Sequence, residues 1–444
     1  GVSSGQNGAM KRFFLWAAII LASLVLLVLA AAYGLRHWIG TEDFRTRVQA
    51  QASAALGVPV KLAGLDVTVW PLPAVVVLGA EVQTRPALAL ERLEVRPALT
   101  GLMAGRLEVA TVLVRKATIP QTAVEGLAAL LQKKERSTQG GKGPEAETAS
   151  KMSLIPQNVV LDDVTWVNTK GVASTINAKA GLGSDGFPDD VSVDVVKGQY
   201  QGTKLRVERG SDGWNVVINL GGGTIKGPIQ LTPAAQAGAP FSLKGQLETR
   251  DVEMAALLAT ASGASPLSGR LEASTTLSAK AANLGALADA VQTQSKFTVQ
   301  DAVVRGIDLA KAVQTVGLNR GGETRLDTLA GQVNTQGRAA QLVNLVASSG
   351  VLSATGNVNI SPAKALSGRV NVNLAAGALG KSMNQAVGVP LVVGGTLDAP
   401  EVTLTRAALI GAAIGTAIMP GVGTGAGASM GDKVENSFKK LFGK

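Results

Sequence analysis

Apolar and polar residues alternate with a period of two along much of residues 152–405. In Arg369-Val-Asn-Val-Asn-Leu374, Val370, Val372 and Leu374 fall on one face and Arg369, Asn371 and Asn373 on the other. The run Gly356-Asn-Val-Asn-Ile360 repeats the pattern, with Val358 and Ile360 on one side. Successive strand residues point to opposite faces, so this pattern specifies a sheet with one apolar and one wet face. Strands are expected at residues 58–70, 74–78, 90–96 and 106–119. Further strands fall at 158–168, 191–200, 204–209, 214–220, 224–231, 242–249, 269–279 and 296–305. Short helices are expected at 252–260, 284–291 and 307–316. The fold class is mainly β: a long, curved antiparallel sheet (a β-groove) with short interspersed helices, preceded by one N-terminal transmembrane helix. About 18 strands at ~4.8 Å give roughly 85 Å if they form one sheet. A unit of Gly, alternating strand and turn recurs at Gly245, Gly269, Gly331, Gly356, Gly368 and Gly395.

Residues 13–33 carry no charge. As a helix they would span roughly 32 Å, matching the ~30 Å hydrocarbon core of a bilayer. Lys11 and Arg12 precede the run, which keeps the N-terminus cytoplasmic by the positive-inside rule. Phe13, Leu24 and Leu27 would face lipid, and Trp16, Tyr33 and Trp38 would sit at the interfaces. The alternative is a cleaved signal peptide, since Ala30-Ala31-Ala32 offers small residues. Both readings export the rest of the chain. Met10 is a natural start, so residues 1–9 read as upstream sequence and 10–38 as the anchor. His37 reads as an interfacial polar residue beside Trp38.

Thr41 to Leu56 reads as a helix capped by Thr41, with Glu42 and Asp43 in its first turn and Gly57 as its stop. Together with the strands to residue 131 it makes an N-terminal domain, 39–131. Residues 132–151 are rich in Lys, Glu, Gly, Ser and Thr and read as a flexible linker. Gly140-Gly-Lys-Gly143 lacks the spacing and flanking strand of a phosphate loop. The β-groove domain occupies 152–405. The tail, 406–444, has no charge from Ala407 to Met430. Ile410, Gly411, Ile414 and Gly415 suit close helix packing in lipid, and Pro420 with the glycines after it breaks any helix. A re-entrant hairpin, a membrane-touching tip and a plain Gly-rich loop all fit. Val434, Phe438, Leu441 and Phe442 share a helical face, as in a surface-seeking end or a helix capping the last strand.

Composition narrows the function. Cysteine is absent, which excludes disulfides, thiol catalysis and Cys-ligated metals. One histidine leaves little for a hydrolase triad or a zinc site. Aromatics are 3%, too few for the stacking platforms of single-strand nucleic-acid binders. The net charge, 42 − 32 = +10, is scattered singly along strands, so nucleic acid is not an expected partner. Asp162-Asp163 and Asp189-Asp190 read as solvated pairs in turn-like stretches, and Gly221-Gly-Gly223 reads as a hairpin turn. Asp308 reads as a helix cap. No catalytic, cofactor or metal residue is assigned, and no enzyme activity is expected.

The chain resembles the AsmA family of envelope proteins. At the N-terminal end the resemblance is carried by the anchor, Ala54-Ala-Leu-Gly57, Val58-Pro-Val-Lys-Leu-Ala-Gly64 and Trp70-Pro-Leu-Pro73. At the other end it rests on Pro266-Leu-Ser-Gly-Arg-Leu271, Val304-Arg-Gly-Ile-Asp-Leu309, Thr324-Arg-Leu-Asp-Thr-Leu329 and Pro390-Leu-Val-Val-Gly-Gly-Thr-Leu-Asp-Ala-Pro400. Each motif is short; their order and spacing carry the likeness, which is weaker between about 120 and 240. The resemblance implies a single-pass inner-membrane protein whose bulk lies in the periplasm of a diderm bacterium. It also implies a chorein-like β-groove, with phospholipids, the inner membrane and other envelope proteins as partners, in lipid transport and outer-membrane homeostasis.

A sixteen-carbon acyl chain leaving the bilayer exposes surface worth roughly 13 kcal/mol at about 0.8 kcal/mol per CH₂. An aliphatic trough removes most of that penalty. Its expected lining is Val358, Ile360, Val370, Val372, Leu374, Val402 and Leu404. The competing reading is that these faces pack on one another as a closed core. A scaffold for outer-membrane biogenesis that moves no lipid is the alternative function.

Overall fold

The computed structural model describes residues 34, 37, 40–69, 72–105, 108–138, 156–232, 240–258, 265–281, 290–315, 318–375 and 387–408. The expected anchor residues Phe13, Trp16, Leu24, Leu27, Tyr33 and Trp38 lie outside these. So do the tail residues Ile410, Gly411, Ile414, Gly415, Phe438 and Phe442, the linker beyond 138, and most of the helix expected at 284–291. Among the described residues no helix is long and apolar enough to cross a membrane. The fold of the described residues is mainly β, with 20 strands and few, short helices. It divides into two compact units, 1–198 and 199–444.

In the first unit, helix α1 (Glu42–Leu56) precedes β1 (Val60–Thr68), β2 (Ala74–Val82) and β3 (Leu88–Pro97). A short helix, α2 (Leu99–Met103), leads to β4 (Val109–Pro120) and α3 (Gln121–Thr138). Strands β5 (Asn158–Val167), β6 (Ala173–Leu182) and β7 (Pro188–Gly198) complete it. Each strand pairs with the next. All pairs are antiparallel except β4–β5, which is parallel. The expected uninterrupted antiparallel meander is therefore corrected here: a parallel step needs a crossover, and the segment containing α3 supplies it. The linker expected from Gln132 is helical through Thr138, because Gln132-Lys-Lys-Glu-Arg136 are strong helix formers and prolong α3.

Helix α1 is capped as its sequence dictates. Thr41 Oγ1 accepts the Phe44 N–H at 3.4 Å, and Gly57 closes the helix in the left-handed region. Phe44, Val48, Ala52 and Leu56, four residues apart, pack on Val60, Leu62, Leu65, Ala80 and Val82. A second stripe faces the open edge of β1. Ser53 Oγ accepts from Val60 N (2.9 Å), Gln49 Oε1 accepts from Leu62 N (2.7 Å), and Arg45 Nη1 donates to Ala63 O (2.9 Å). Side chains thus satisfy an edge that would otherwise offer itself to another strand. The rising helix numbers meet falling strand numbers, so α1 runs antiparallel to β1.

In the second unit, β8 (Lys204–Arg209), β9 (Trp214–Leu220), β10 (Gly223–Thr232), β11 (Phe241–Glu253), β12 (Leu267–Ala281) and β13 (Gln292–Arg305) pair in chain order. Strand β13 then pairs with β15 (Glu323–Gln336). From there β16 (Ala339–Ser348), β17 (Leu352–Ile360), β18 (Leu366–Leu374), β19 (Val387–Gly395) and β20 (Pro400–Leu404) continue the order. The two-residue β14 (Asn319–Arg320) pairs back onto β20. Helix α4 (Met254–Leu257) comes after β11, and α5 (Leu309–Gln314) after β13. The expected hairpin at Gly221-Gly222 is present, both residues at positive φ (55° and 76°), between the partners Leu220 and Gly223.

Bulges break the alternation at recurrent points. Asp163, Asp251 and Asn344 lie inside strands at positive φ. Each N–H donates to a side chain on the neighbouring strand: to Asn177 Oδ1 (2.8 Å), Glu272 Oε1 (3.0 Å) and Asn357 Oδ1 (2.9 Å) respectively. Register shifts by one residue at these places, so the apolar face resumes three residues on rather than two. Asp162 and Asp163 are accordingly not in a turn. They form the bulge of β5, because Asp tolerates left-handed backbone. Asp189 and Asp190 likewise belong to strand β7.

The recurrent glycines do not open their strands as expected. Gly245, Gly331 and Gly356 sit mid-strand. A Cβ on Gly356 would overlap the Arg369 carbonyl oxygen and come within 2.8 Å of Val370 Cα, so a bare backbone is what lets β17 and β18 approach there.

Candidate functional site: an aliphatic sheet face

Register aligns two unbroken aliphatic rows across all seven strands of the first unit. One is Leu65–Val77–Leu93–Val114–Leu161–Ala178–Val193; the other is Val67–Val75–Val95–Val112–Val159–Ala180–Val191. Paired residues share a face, so these fourteen side chains form one surface. Leu65 is buried beneath α1, whereas the rest of both rows is half-buried or exposed. Seven strands at ~4.8 Å span about 30 Å, and half of a ~30 Å hydrocarbon core is about one acyl-chain length. The face is therefore long enough for one chain lying across the strands.

The reverse face of the same strands is mixed: Arg92, Glu94, Arg96, Arg115 and Asp162 share it with Leu113, Val160 and the buried Ala74 and Val76. Glu94, its side chain 10% exposed, accepts from Arg92 Nε at 2.7 Å and from Arg96 Nη2 at 3.1 Å. Burial pushes its carboxyl upward. The hydrogen bonds and charges of Arg92 and Arg96 outweigh that and hold it below the usual glutamate range. One pairing row over, Arg115 Nε donates to Asp162 Oδ2 at 3.1 Å.

In the second unit the apolar rows also run strand to strand. Leu205–Ile218–Ile225–Thr249–Ala273–Phe297–Gly331 is one. Trp214–Ile229–Gly245–Leu277–Thr293–Thr335–Ala340–Ile360–Leu366 is another. Hydroxyls in and between them satisfy one another: Thr293 with Thr335 in the second row, and Thr275 with Ser295 at 2.8 Å in the row between the two.

The expected lining residues divide. Val372, Leu374, Val402 and Leu404 are at most 3% exposed and pack with Val389, Leu391 and the α5 residues Ala312 and Val313. That packing leaves no room beside them for a hydrocarbon tail. Val358, Ile360 and Val370 lie nearer the opposite strand ends and are half-buried. Asp308 caps α5 as expected, accepting from Lys311 N at 3.0 Å, and Thr324 Oγ1 accepts from Leu309 N while donating to Ile307 O. Pro400 lies where a Cβ on Gly306 would be, and Arg305 N donates to Pro266 O. The four C-terminal motifs thus meet at one place, and what they build there is a packed corner where β14 pairs back onto β20.

The rows of the first unit are not evident in the sequence. Val75-Val-Val-Leu78 and Val112-Leu-Val114 are apolar on both parities, and only the register identifies the open face. No family model, curated protein or solved structure matches the chain.

Proposed function

We propose that this is a membrane-anchored, non-enzymatic envelope protein that shelters phospholipid acyl chains on the aliphatic face of its first unit. Membership of the AsmA family, an inner-membrane anchor at residues 13–33 and a periplasmic body belong to the same proposal. The observation that carries it is the pair of unbroken rows from β1 to β7. A packed core would bury them, yet Val75, Val95, Val112, Val159 and Val191 keep solvent-facing area. Each buried CH₂ of a lipid tail is worth about 0.8 kcal/mol against such a surface. Aliphatic side chains with no polar anchor among them grip no particular head group, which suits passage of one lipid after another.

The test is site-specific photo-crosslinking in cells, with a benzoylphenylalanine at Val112 or Val159 and a reverse-face control at Lys179. Phospholipid adducts at the first two positions and none at the third are expected. Protein adducts alone would replace this reading with the scaffold, a role that the closed core of the second unit also suits.

A further inference from the structure

The two connections at one end of β1–β4 expose large apolar side chains. Val69 and Leu72 lie in the turn between β1 and β2, 45% and 47% exposed. Leu99 and Met103 lie on α2 between β3 and β4, 47% and 89% exposed. Val75 pairs with Val95 and Pro97 with Val109, so the two connections neighbour one another on the same rim. The opposite rim carries Gln83, Thr84 and Arg85 in one turn and Asn168, Thr169 and Lys170 in another. At the apolar rim's own far side, the β6–β7 connection (183–187) exposes Ser184 and Asp185, and its one apolar side chain, Phe187, is half-buried. Among the described connections of the first unit, the most exposed large apolar side chains are those at the corner beside α1; at the opposite rim Trp166, near the end of β5, is 39% exposed.

The direction of α1 says what this corner meets. Running antiparallel to β1, the helix has its N-terminal end toward the β1–β2 turn. The uncharged run 13–33 ends eight residues before Thr41, a reach of at most about 28 Å. A bilayer holding that run lies on the side of the apolar rim. We infer that the rim formed by Val69, Leu72, Leu99 and Met103 dips into the surface of the same bilayer, setting the row nearest the rim, Val67–Val75–Val95–Val112, alongside the lipid. The inference rests on the proposed anchor. It adds a second, peripheral membrane contact and an orientation, with the strands of β1–β4 end-on to the membrane. Val67, Val75 and Val95, at the rim ends of their strands, then begin the path for a tail leaving the leaflet.

The chain has no native cysteine, so a single introduced thiol is a unique label. Full-length Met103→Cys, Thr169→Cys and Leu24→Cys proteins, each carrying an environment-sensitive dye, are reconstituted into phosphatidylethanolamine/phosphatidylglycerol vesicles with or without doxyl-labelled lipid. Quenching at Met103→Cys at least twofold greater than at Thr169→Cys is expected, with Leu24→Cys quenched most. Quenching at Leu24→Cys with Met103→Cys no different from Thr169→Cys overturns the rim contact and leaves the anchor standing. No quenching at any site overturns both. A blue-shifted dye at Met103→Cys that doxyl lipid does not quench identifies a protein neighbour and also overturns the inference. Met103 is almost fully exposed, so the substitution does not threaten the fold.

Discussion

Glu94 is held between two arginines on the reverse face of the first unit, beside Val76, which is itself fully buried. Its carboxyl is depressed on folding, and that fixes the sign of its pH dependence. The stabilisation is fully present above the unfolded value of about 4.3 and is lost as pH falls through the lower folded value. Both arginines are about one-third exposed, which limits the worth of the cluster. Glu94→Gln is expected to destabilise the fold at pH 7 by an amount toward the lower end of the about 1.5–3 kcal/mol range for hydrogen bonds to charged groups. Urea midpoints of the wild type and the variant should converge as the pH is lowered below 4. A constant gap from pH 7 to pH 3 would show that the carboxylate charge contributes nothing. This cluster is invisible in the sequence. Arg92, Glu94 and Arg96 alternate like any wet strand face, and only the burial of their neighbours makes them a clasp.

Strands and helices are legible where one local rule suffices. Thr41, Gly57, Asp308 and the Gly221-Gly222 turn act as their chemistry dictates, because capping and tight turns are decided within a few residues. Strand β6 is not legible, because Ala173-Ser-Thr-Ile-Asn-Ala-Lys-Ala180 is too weakly apolar to show its period. The bulges at Asp163, Asp251 and Asn344 reset that period inside strands. The polar stripe of α1 has no local signal, since Arg45, Gln49 and Ser53 resemble any solvated face until the edge of β1 is beside them. Its energetic role is measurable: Gln49→Ala and Ser53→Ala each unpair a backbone N–H of β1 and are expected to cost about 1 kcal/mol. Amide exchange at Val60 and Leu62 should accelerate in these variants and not at Val76. A Gly356→Ala change attacks a different element through sterics. It should destabilise the second unit by more than the ~1 kcal/mol of an ordinary substitution, because the obstacle is backbone of β18. A neutral result in a melt would mean that the two strands can separate at that point at little cost.

The rows are largely half-buried in both units, so exposure separates a row from the buried cluster around Val372, and exposure decides between a conduit and a core. Val372 is fully buried among aliphatic neighbours, whereas Val112 is half-buried in a row whose members reach solvent. The same substitution therefore has opposite consequences. Val372→Asp places a carboxylate with no partner in a dry core, and should lower stability by several kcal/mol or prevent folding. Val112→Asp puts its charge where water reaches it, so the unfolding free energy should change by no more than about 0.5 kcal/mol. The Val112→Asp charge nonetheless interrupts a row that a hydrocarbon tail would have to cross, and phospholipid adducts from a crosslinker at Val159 should fall severalfold. If Val112→Asp unfolds the protein as Val372→Asp does, the first unit is closed in solution and shelters nothing. If it folds and Val159 still captures phospholipid at the wild-type level, lipid reaches the face without travelling along the rows. Only a stable fold with lost capture fits a sheet whose first seven strands are left open for a guest.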